Sequence, residues 1–274
     1  MQGRQSGIEF VNAPILRLLN VARHVVPTAL RPRLRRLLLP LSPLNFSRPS
    51  GVQLRIANDT DWAVYTEVFR KAEYDSAIDR AVALPDAEHL CIVDLGANVG
   101  FFTLRVIDRL GILETRSRDV RIIAVEASPR RVADFRSRVV DTNGLGEHVR
   151  VFGGLVGDRL GSAPLFEGPS HGDSSLFSRR ESPTAGEVLA FVDLSALLAS
   201  EPAIHLLKCD IEGAELQFLR TYGDLLMKTR VAVFEFHDEL CDTAACRRLL
   251  RDYGFGHETV VRRTGPYEIY CVWR

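Results

Sequence analysis

The chain has 274 residues, 46% of them hydrophobic, and its 35 basic and 35 acidic side chains cancel to a formal net charge of zero. This length accommodates one large α/β core with an extension, and the balanced charge gives no support to a nucleic-acid-binding protein, which needs clustered Lys and Arg. The five cysteines include no C-x-x-C pair, which excludes a disulfide framework and a zinc site and is typical of a cytoplasmic protein.

The first 50 residues carry the positive charge of the chain. They hold eight arginines and one acid, a net charge of 8 − 1 = +7, so the remainder must carry −7. An acidic main region does not suit a nucleic-acid partner. Within residues 13–26 the apolar side chains share one helical face, with Arg17 and Arg23 off it. Two interpretations stay open: a helix that packs on the core or on a second subunit of a homodimer, or a basic anchor at a membrane surface.

The sequence predicts no integral membrane segment. Arg17 and Arg23 interrupt the first apolar stretch, which does not resemble a secretory signal. The longest uncharged run nearby, residues 37–47, contains Pro40 and Pro43 and is too short to span a bilayer. We therefore expect a cytoplasmic protein whose membrane contact, if it has any, is peripheral.

Proline and glycine divide the chain into three predicted regions. Pro40, Pro43, Pro49 and Gly51 mark a linker. It separates a basic amphipathic extension from a segment with a short strand and one or two helices. The main domain follows. The predicted bounds are 1–50 for the extension, 51–85 for the middle segment and 86–274 for the main domain.

The main domain alternates apolar strand-like and helix-like runs. Short β-α-β spacing with right-handed crossovers predicts an α/β fold: a doubly wound, mostly parallel seven-stranded sheet with an antiparallel edge hairpin, plus an N-terminal helical extension. The Gly-, Ser- and Pro-rich stretch 159–190 interrupts this alternation and could carry substrate contacts. The predicted strands are 89–95, 120–126, 148–153, 203–211, 230–237, 258–262 and 268–273, and the predicted helices are 100–110, 129–141 and 213–222.

The stretch "CIVDLGANVGFFTL", residues 91–104, indicates a nucleotide-binding turn. A buried strand ends at Asp94, a turn runs from Gly96 to Gly100, and a helix begins at Phe101. A dinucleotide would require G-x-G-x-x-G, but Asn98 occupies the middle glycine position. The Asp94 carboxylate would repel a pyrophosphate and attract a ligand with an ammonium and a sulfonium. The turn therefore favours S-adenosylmethionine and disfavours a nicotinamide-dependent oxidoreductase.

The second predicted strand ends in "IIAVEAS", which places Glu126 beside the same turn. An acid at this position can accept hydrogen bonds from both ribose hydroxyls of a nucleoside. Because S-adenosylmethionine and dinucleotides share this spacing, Glu126 alone does not distinguish them.

Four ordered blocks resemble the FkbM family of S-adenosylmethionine-dependent methyltransferases. They are "VDLGANVGFFTL", "VEASPRR", "GDSSL" and "LLKCDIEGAELQFL", and the resemblance covers roughly residues 86–240. It implies a Rossmann-like class I fold with S-adenosylmethionine as the cofactor. The candidate cofactor-binding residues are Asp94, Gly96, Ala97, Asn98, Gly100, Phe101, Glu126, Ala127 and Asp158.

The candidate catalytic residues follow the fourth and fifth strands. Alternation places Lys208 and Asp210 on one face of the first and Glu235 and His237 on one face of the second. We expect Asp210, Glu235 and His237 to converge over the cofactor's methyl group. Lys208 could instead pair with a carboxylate, and His237 could be a polar strand terminus. Asp210 with Glu235 would suit magnesium, but the pattern assigns no metal site.

These residues predict an O-methyltransferase that acts on a hydroxyl of a small molecule or glycan. A positioned base suits an acceptor that loses its proton reluctantly. A non-catalytic methyltransferase-like module remains an alternative. Glu212 and Glu215 open a helix, where negative charge offsets the helix dipole, and His171 with Ser174 lies in what is by default a plain loop.

Overall fold

The computed structural model describes residues 9–10, 30–85, 89–115, 119–167, 174–175 and 187–274. The amphipathic segment 13–26 and His171 lie outside these described residues. The side chains of Ser174 and Ser175 are likewise outside the description, although their backbone forms a short strand.

A seven-stranded sheet forms the centre of the fold. Its strands are β4 (His89–Leu95), β5 (Asp119–Glu126), β6 (Val149–Gly153), β10 (Ile204–Cys209), β11 (Thr229–His237), β12 (His257–Thr264) and β13 (Tyr267–Trp273). Their order across the sheet is β12-β13-β11-β10-β4-β5-β6. The five strands from β11 to β6 are parallel, and β13 and β12 add an antiparallel hairpin at one edge. This confirms the predicted doubly wound sheet and its edge hairpin.

Two smaller sheets accompany the main one. Their strands are β1 (Glu9–Phe10), β2 (Leu44–Ser47), β3 (Gln53–Ile56), β7 (Ser162–Glu167), β8 (Ser174–Ser175) and β9 (Glu187–Ala190). The first sheet, with the order β1-β2-β3, belongs to the segment before the main sheet, and the second, with the order β8-β7-β9, forms within the Gly- and Ser-rich stretch 159–190. The second small sheet was not predicted from the sequence.

Helices cover both faces of the main sheet. They are α1 (Arg31–Leu41), α2 (Asp59–Tyr65), α3 (Asp75–Val82), α4 (Phe101–Leu110), α5 (Ile112–Thr115), α6 (Pro129–Phe135), α7 (Leu194–Leu197), α8 (Glu215–Thr221), α9 (Gly223–Met227) and α10 (Thr243–Asp252). Two of them continue into π-helical turns, Thr66–Arg70 after α2 and Arg136–Asp141 after α6.

Strand alternation produces two apolar layers. In β4, Leu90 and Ile92 pack into one layer while Cys91 and Val93 pack into the other, as successive side chains of a strand point to opposite faces. The first layer includes Phe46 and other side chains from the segment before the main sheet. Because the five central strands are parallel, their carboxyl ends meet at one edge of the sheet, and an apolar layer packs on each face of the sheet.

Among the residues that the structure describes, no helix combines the length and the apolar character needed to cross a membrane.

Candidate active site

The glycine turn after β4 fits tightly against the loop after β10. Gly96 has a φ of +71° and a Cβ at this position would lie 1.6 Å from the Asp210 carbonyl oxygen. The backbone N–H groups of Gly96 and Ala97 both donate to the Val125 carbonyl at 3.0 Å. A side chain at Gly96 would therefore force the two loops apart, so the glycine is what allows this close approach.

Asp94 lies beneath this turn and is completely buried. Its Oδ2 accepts a hydrogen bond from Thr103 Oγ1 at 3.0 Å, and its Oδ1 is 3.5 Å from Lys208 Nζ. In the sheet, Lys208 is the register partner of Asp94 on the adjacent strand. The Asp94 carboxylate thus contacts Thr103 and Lys208 beneath the turn and is not part of the cavity wall.

Lys208 connects Asp94 to the rest of the site. Its Nζ donates to the Gly96 carbonyl at 2.9 Å and lies 3.4 Å from Asp210 Oδ2. Burial by itself would lower the pKa of Lys208, but the carboxylates of Asp210, Asp94 and Glu235 outweigh it and raise that pKa. Lys208 is therefore a fixed positive charge that orients Asp210, in line with the ion-pair interpretation of this residue.

Glu126 is held in position before any ligand binds. Its Oε2 accepts from the Asn98 backbone N–H at 2.8 Å, and its Oε1 accepts from the Ser128 N–H at 2.9 Å. Arg131 Nη1 lies 3.7 Å from Oε1. Burial raises the pKa of Glu126, while Arg131 and the two N–H groups act in the opposite direction. Each carboxylate oxygen can still accept a further hydrogen bond from a ligand.

A cavity opens at the carboxyl ends of β4, β5, β6 and β10. It brings together five residues predicted from the sequence, which are Gly96, Asn98, Glu126, Ala127 and Asp210.

The same cavity has lining residues that the sequence did not single out. Arg131 lies one helical turn beyond the end of β5, Gly154 and Leu155 follow β6, and Ile211 follows Asp210. Each comes shortly after a parallel strand, and ligands of doubly wound sheets bind at those strand ends. Their position shortly after a strand end was thus the signal in the sequence that could have identified these lining residues.

His237 and two carboxylates meet beside the cavity. One ligand atom from each of Asp210, Glu212 and His237 lies within 4.8 Å of the others. His237 Nδ1 is 3.5 Å from Glu212 Oε2, and the imidazole makes an edge contact with the Tyr267 ring at 4.9 Å. Glu212 has a φ of +54°, which aims its carboxylate back toward β11. The arrangement joins an imidazole to a carboxylate that can orient it.

Glu235, the remaining candidate catalytic residue, contacts Tyr74 and Arg262. Its Oε2 accepts from the Tyr74 hydroxyl at 3.3 Å, and its Oε1 is 3.8 Å from Arg262 Nη2. Burial and the nearby carboxylates of Asp210 and Glu67 raise the pKa of Glu235 to about 8. At pH 7, below this pKa, the protonated form of the Glu235 carboxyl group predominates, in contrast to the charged Lys208.

Five of the predicted cofactor residues lie outside the cavity wall, and four of them belong to the region of the turn. Asp94, Ala97, Gly100 and Phe101 are buried in or beneath the turn. A Cβ at Gly100 would lie 2.6 Å from the Phe135 ring.

Asp158 is placed on a different surface. Its Oδ2 accepts from Gln217 Nε2 at 2.6 Å, and it lines a second cavity with Leu216, Arg220 and Cys241. Asp158 is therefore not placed where the sequence predicted a cofactor contact, since it does not line the first cavity.

Asp210, Glu212 and His237 could together offer a divalent cation one imidazole and two carboxylates. Glu235, the partner suggested by the sequence for a magnesium ion with Asp210, is not part of this group. The ammonium group of Lys208 already provides a positive charge 3.4 Å from Asp210. Magnesium was only weakly suggested by the sequence, and the structure gives no support to Asp210 with Glu235 as its ligands.

The chain resembles known proteins in sequence and in fold. The sequence profile of the family described as "Methyltransferase FkbM domain" matches residues 94–256, more than half of the chain. No curated protein matches the sequence.

The structure is similar to several solved structures to different degrees. Methyltransferase FkbM from Methylobacillus flagellatus KT is 14% identical with a TM-score of 0.50, and the match covers 79% of this chain and 54% of that one. The human methyltransferase 10 domain containing protein is 15% identical (TM-score 0.47; 91% and 96% covered). Magnesium protoporphyrin IX methyltransferase from Synechocystis PCC 6803 is 12% identical (TM-score 0.43; 75% and 79% covered). The chain thus spans about half the length of the Methylobacillus protein.

Proposed function

Because the chain belongs to the methyltransferase FkbM domain family, we propose that it transfers the methyl group of S-adenosylmethionine to a hydroxyl oxygen of a small molecule or glycan. The observation that carries this proposal is the orientation of Glu126 in a cavity at the strand ends. Two backbone N–H groups fix its carboxylate there. A nucleoside ribose is the ligand that such an acid suits in a doubly wound sheet.

The cavity fits a cationic nucleoside better than a dinucleotide. Glu126 and Asp210 both line it, and Leu155, Val156 and Ile211 add apolar surface. Glu126 would accept the ribose hydroxyls, and the apolar surface would cover the adenine ring. S-adenosylmethionine supplies a methyl group that its sulfonium has already activated.

Asp210 and His237 would act on the acceptor. Lys208 holds Asp210 from one side, and Glu212 orients the His237 imidazole from the other. An acceptor hydroxyl placed between them could donate its proton to His237 while Asp210 fixes its direction. Positioning and a general base are the two contributions that this reaction needs from the protein.

The sequence favours oxygen as the methylated atom. It contains no N-P-P-Y-like motif of the kind that clamps an amide, and no C-x-x-C nucleophile. Carboxylate and imidazole groups are suited to removing a hydroxyl proton.

The proposal is tested in two steps. Calorimetry should first show that S-adenosylmethionine binds and that a dinucleotide does not. The protein is then incubated with the cofactor and a panel of hydroxyl compounds, and mass spectrometry follows S-adenosylhomocysteine and the methylated product. Asp210→Asn should abolish most turnover while the exposed control Asp252→Asn keeps it.

Each outcome distinguishes a class of function. Cofactor binding without turnover on any hydroxyl compound would favour a non-catalytic module. Binding of a dinucleotide would favour an oxidoreductase. Loss of turnover in the presence of a chelator would reassign Asp210 to a metal ion.

A further inference from the structure

Two free cysteines lie in contact at the end of β11. Cys241 Sγ and Cys246 Sγ are 3.3 Å apart. Cys241 lies just before the N-cap of α10, and Cys246 lies in the first turns of that helix. Because the two sulfur atoms already touch, a small side-chain rotation would bring them to disulfide distance.

The two thiols differ in their access to solvent. Cys241 is 8% exposed and lines an open cavity of about 470 Å³ with Arg220 and Leu240, whereas Cys246 is completely buried. This volume falls in the range of about 300–1,000 Å³ that small-molecule sites occupy. A reagent that enters the cavity would therefore meet Cys241 first.

The surroundings also separate the two sulfur atoms chemically. The hydrogen bond with Cys241 and burial raise the pKa of Cys246, so this thiol stays protonated. Cys241 borders the cavity, whose wall also includes Arg220, Asp158 and Asp242, whereas Cys246 does not reach it. Cys241 is thus suited to attack, and Cys246 to react afterwards.

We propose that Cys241 and Cys246 form a thiol-disulfide exchange site whose substrate is a low-molecular-weight disulfide. The Cys241 thiolate attacks one sulfur of the disulfide, so a mixed disulfide forms, the original S–S bond breaks and one thiolate leaves. Cys246 then attacks Cys241 Sγ, and its proton passes to the second departing thiolate. In total, two protein thiols become one disulfide, and the small disulfide is reduced to two thiols.

This site is joined directly to the candidate active site. The backbone N–H groups of Leu240 and Cys241 donate to the His237 carbonyl at 2.8 and 2.9 Å. Closing the disulfide would draw this turn toward α10 and act on His237 through those bonds. The exchange itself is independent of methyl transfer and goes beyond the proposed function.

The experiment treats the native protein with glutathione disulfide. Trypsin cleaves after Arg230 and Arg247, so the peptide 231–247 contains both cysteines and no other. We expect this peptide to become lighter by two hydrogens and the native protein to lose two of its five free thiols. Dithiothreitol should restore both. Retention of all five thiols would overturn the proposal.

Variants separate the two steps of the exchange. Cys246→Ala should trap one glutathionyl group on Cys241, and Cys241→Ser should abolish the reaction at both positions. The matched control Cys271→Ala, which changes a cysteine buried in β13, should lose the same two thiols as the unmodified protein. A stable mixed disulfide in the unmodified protein would show that Cys246 does not resolve it and would also overturn the proposal.

Discussion

Glu126 is prepared for its ligand by the backbone around it. Its two oxygens accept one N–H bond each, from Asn98 and Ser128, so the carboxylate cannot rotate away. Asn98 reaches this geometry with a φ of +51°, in a region that asparagine tolerates better than most residues. A ligand that binds Glu126 does not have to order it first, which lowers the entropic cost of binding.

Replacing Glu126 should weaken cofactor binding. Glu126→Ala removes charge-assisted hydrogen bonds to the ribose, and we expect a loss of about 1.5–3 kcal/mol in binding free energy. Calorimetry with S-adenosylmethionine measures it, and the exposed Glu147→Gln serves as the control. Unchanged affinity in Glu126→Ala would remove this residue from the cofactor site.

Glu235 should make stability depend on pH. The unfolded chain releases this proton near pH 4.5, whereas the folded protein keeps it to about pH 8. In this window the unfolded state binds fewer protons, so the unfolding free energy falls as the pH rises. Glu235→Gln should reduce the loss of stability between about pH 5 and pH 8 by on the order of 1 kcal/mol or more.

Urea denaturation at both pH values checks this expectation. Glu239→Gln, an exposed change on the turn after β11, is the control and should keep the original slope. Glu215 also has a raised pKa, of about 7, because it is buried, so part of the slope should persist in Glu235→Gln. An identical slope in the two variants would contradict the assignment to Glu235.

At the scale of the elements, the turn between β4 and α4 packs closely against the loop after β10. Gly96→Ala should combine about 1–2 kcal/mol of left-handed backbone strain with about 1–3 kcal/mol of overpacking against the Asp210 carbonyl. Gly144 also has a positive φ, of +62°, but a Cβ added there would have no atom within 4 Å of it. Gly144→Ala should therefore show the strain alone.

Thermal and urea unfolding of the two glycine variants measure the difference. Cofactor binding should also be lost in Gly96→Ala and retained in Gly144→Ala, because Gly96 lines the cavity and Gly144 does not. Equal destabilisation of the two would mean that the close contact with Asp210 does not decide stability.

The sequence predicted the elements whose signal is local. The apolar runs of β4, β5 and β11 were assigned to within one residue of their observed ends, because buried parallel strands are continuously apolar. Helix α10 was not predicted, although Asp242 caps it by accepting from the Ala245 N–H at 2.9 Å. The small sheet of β7, β8 and β9 was missed because its strands pair within a Gly- and Ser-rich stretch without clear alternation.

The residues of the candidate site also divide into those with a local sequence signal and those without one. Glu126 and Asp210, both predicted from the sequence, line the cavity because Glu126 ends β5 and Asp210 follows β10, two strands with a clear sequence pattern. Arg131 and Leu155 were missed because their approach to the cavity depends on how α6 and the loop after β6 pack. The pairing of His237 with Glu212 depends on a positive φ that the residue type did not reveal.

At the scale of the whole molecule, the segment before the main sheet is part of its core. Leu39 and Phe46 are buried in the same apolar layer as Phe102 of α4. Arg48 Nε lies 2.9 Å from Asp108 Oδ2, with both side chains mostly buried. This segment also supplies Tyr74, which donates to the candidate site residue Glu235. The packing of the core and the geometry of the candidate site therefore both depend on this segment.

Two truncations should distinguish the contribution of the described part of this segment to stability from that of the residues before it. Removing residues 1–29 deletes only β1 among the described elements, and we expect a small change in melting temperature. Removing residues 1–50 also deletes Leu39, Leu44 and Phe46, and burying each such side chain is worth about 1.5–3 kcal/mol. The longer truncation should therefore melt much lower and lose solubility, because it exposes the apolar layer.

Scanning calorimetry, light scattering and vesicle pelleting distinguish the roles of these residues. A fall in oligomeric mass with the shorter truncation would assign residues 1–29 to an interface between two copies of the chain. Salt-sensitive pelleting of the full chain with anionic vesicles, lost in the same truncation, would assign them to a membrane surface, since the charge attraction is screened by salt. The expected loss of stability rests on the burial of Leu39 and Phe46 in the same apolar layer as α4. If the chain without residues 1–50 melted at the temperature of the full chain, the inference that these two side chains complete the core would be wrong.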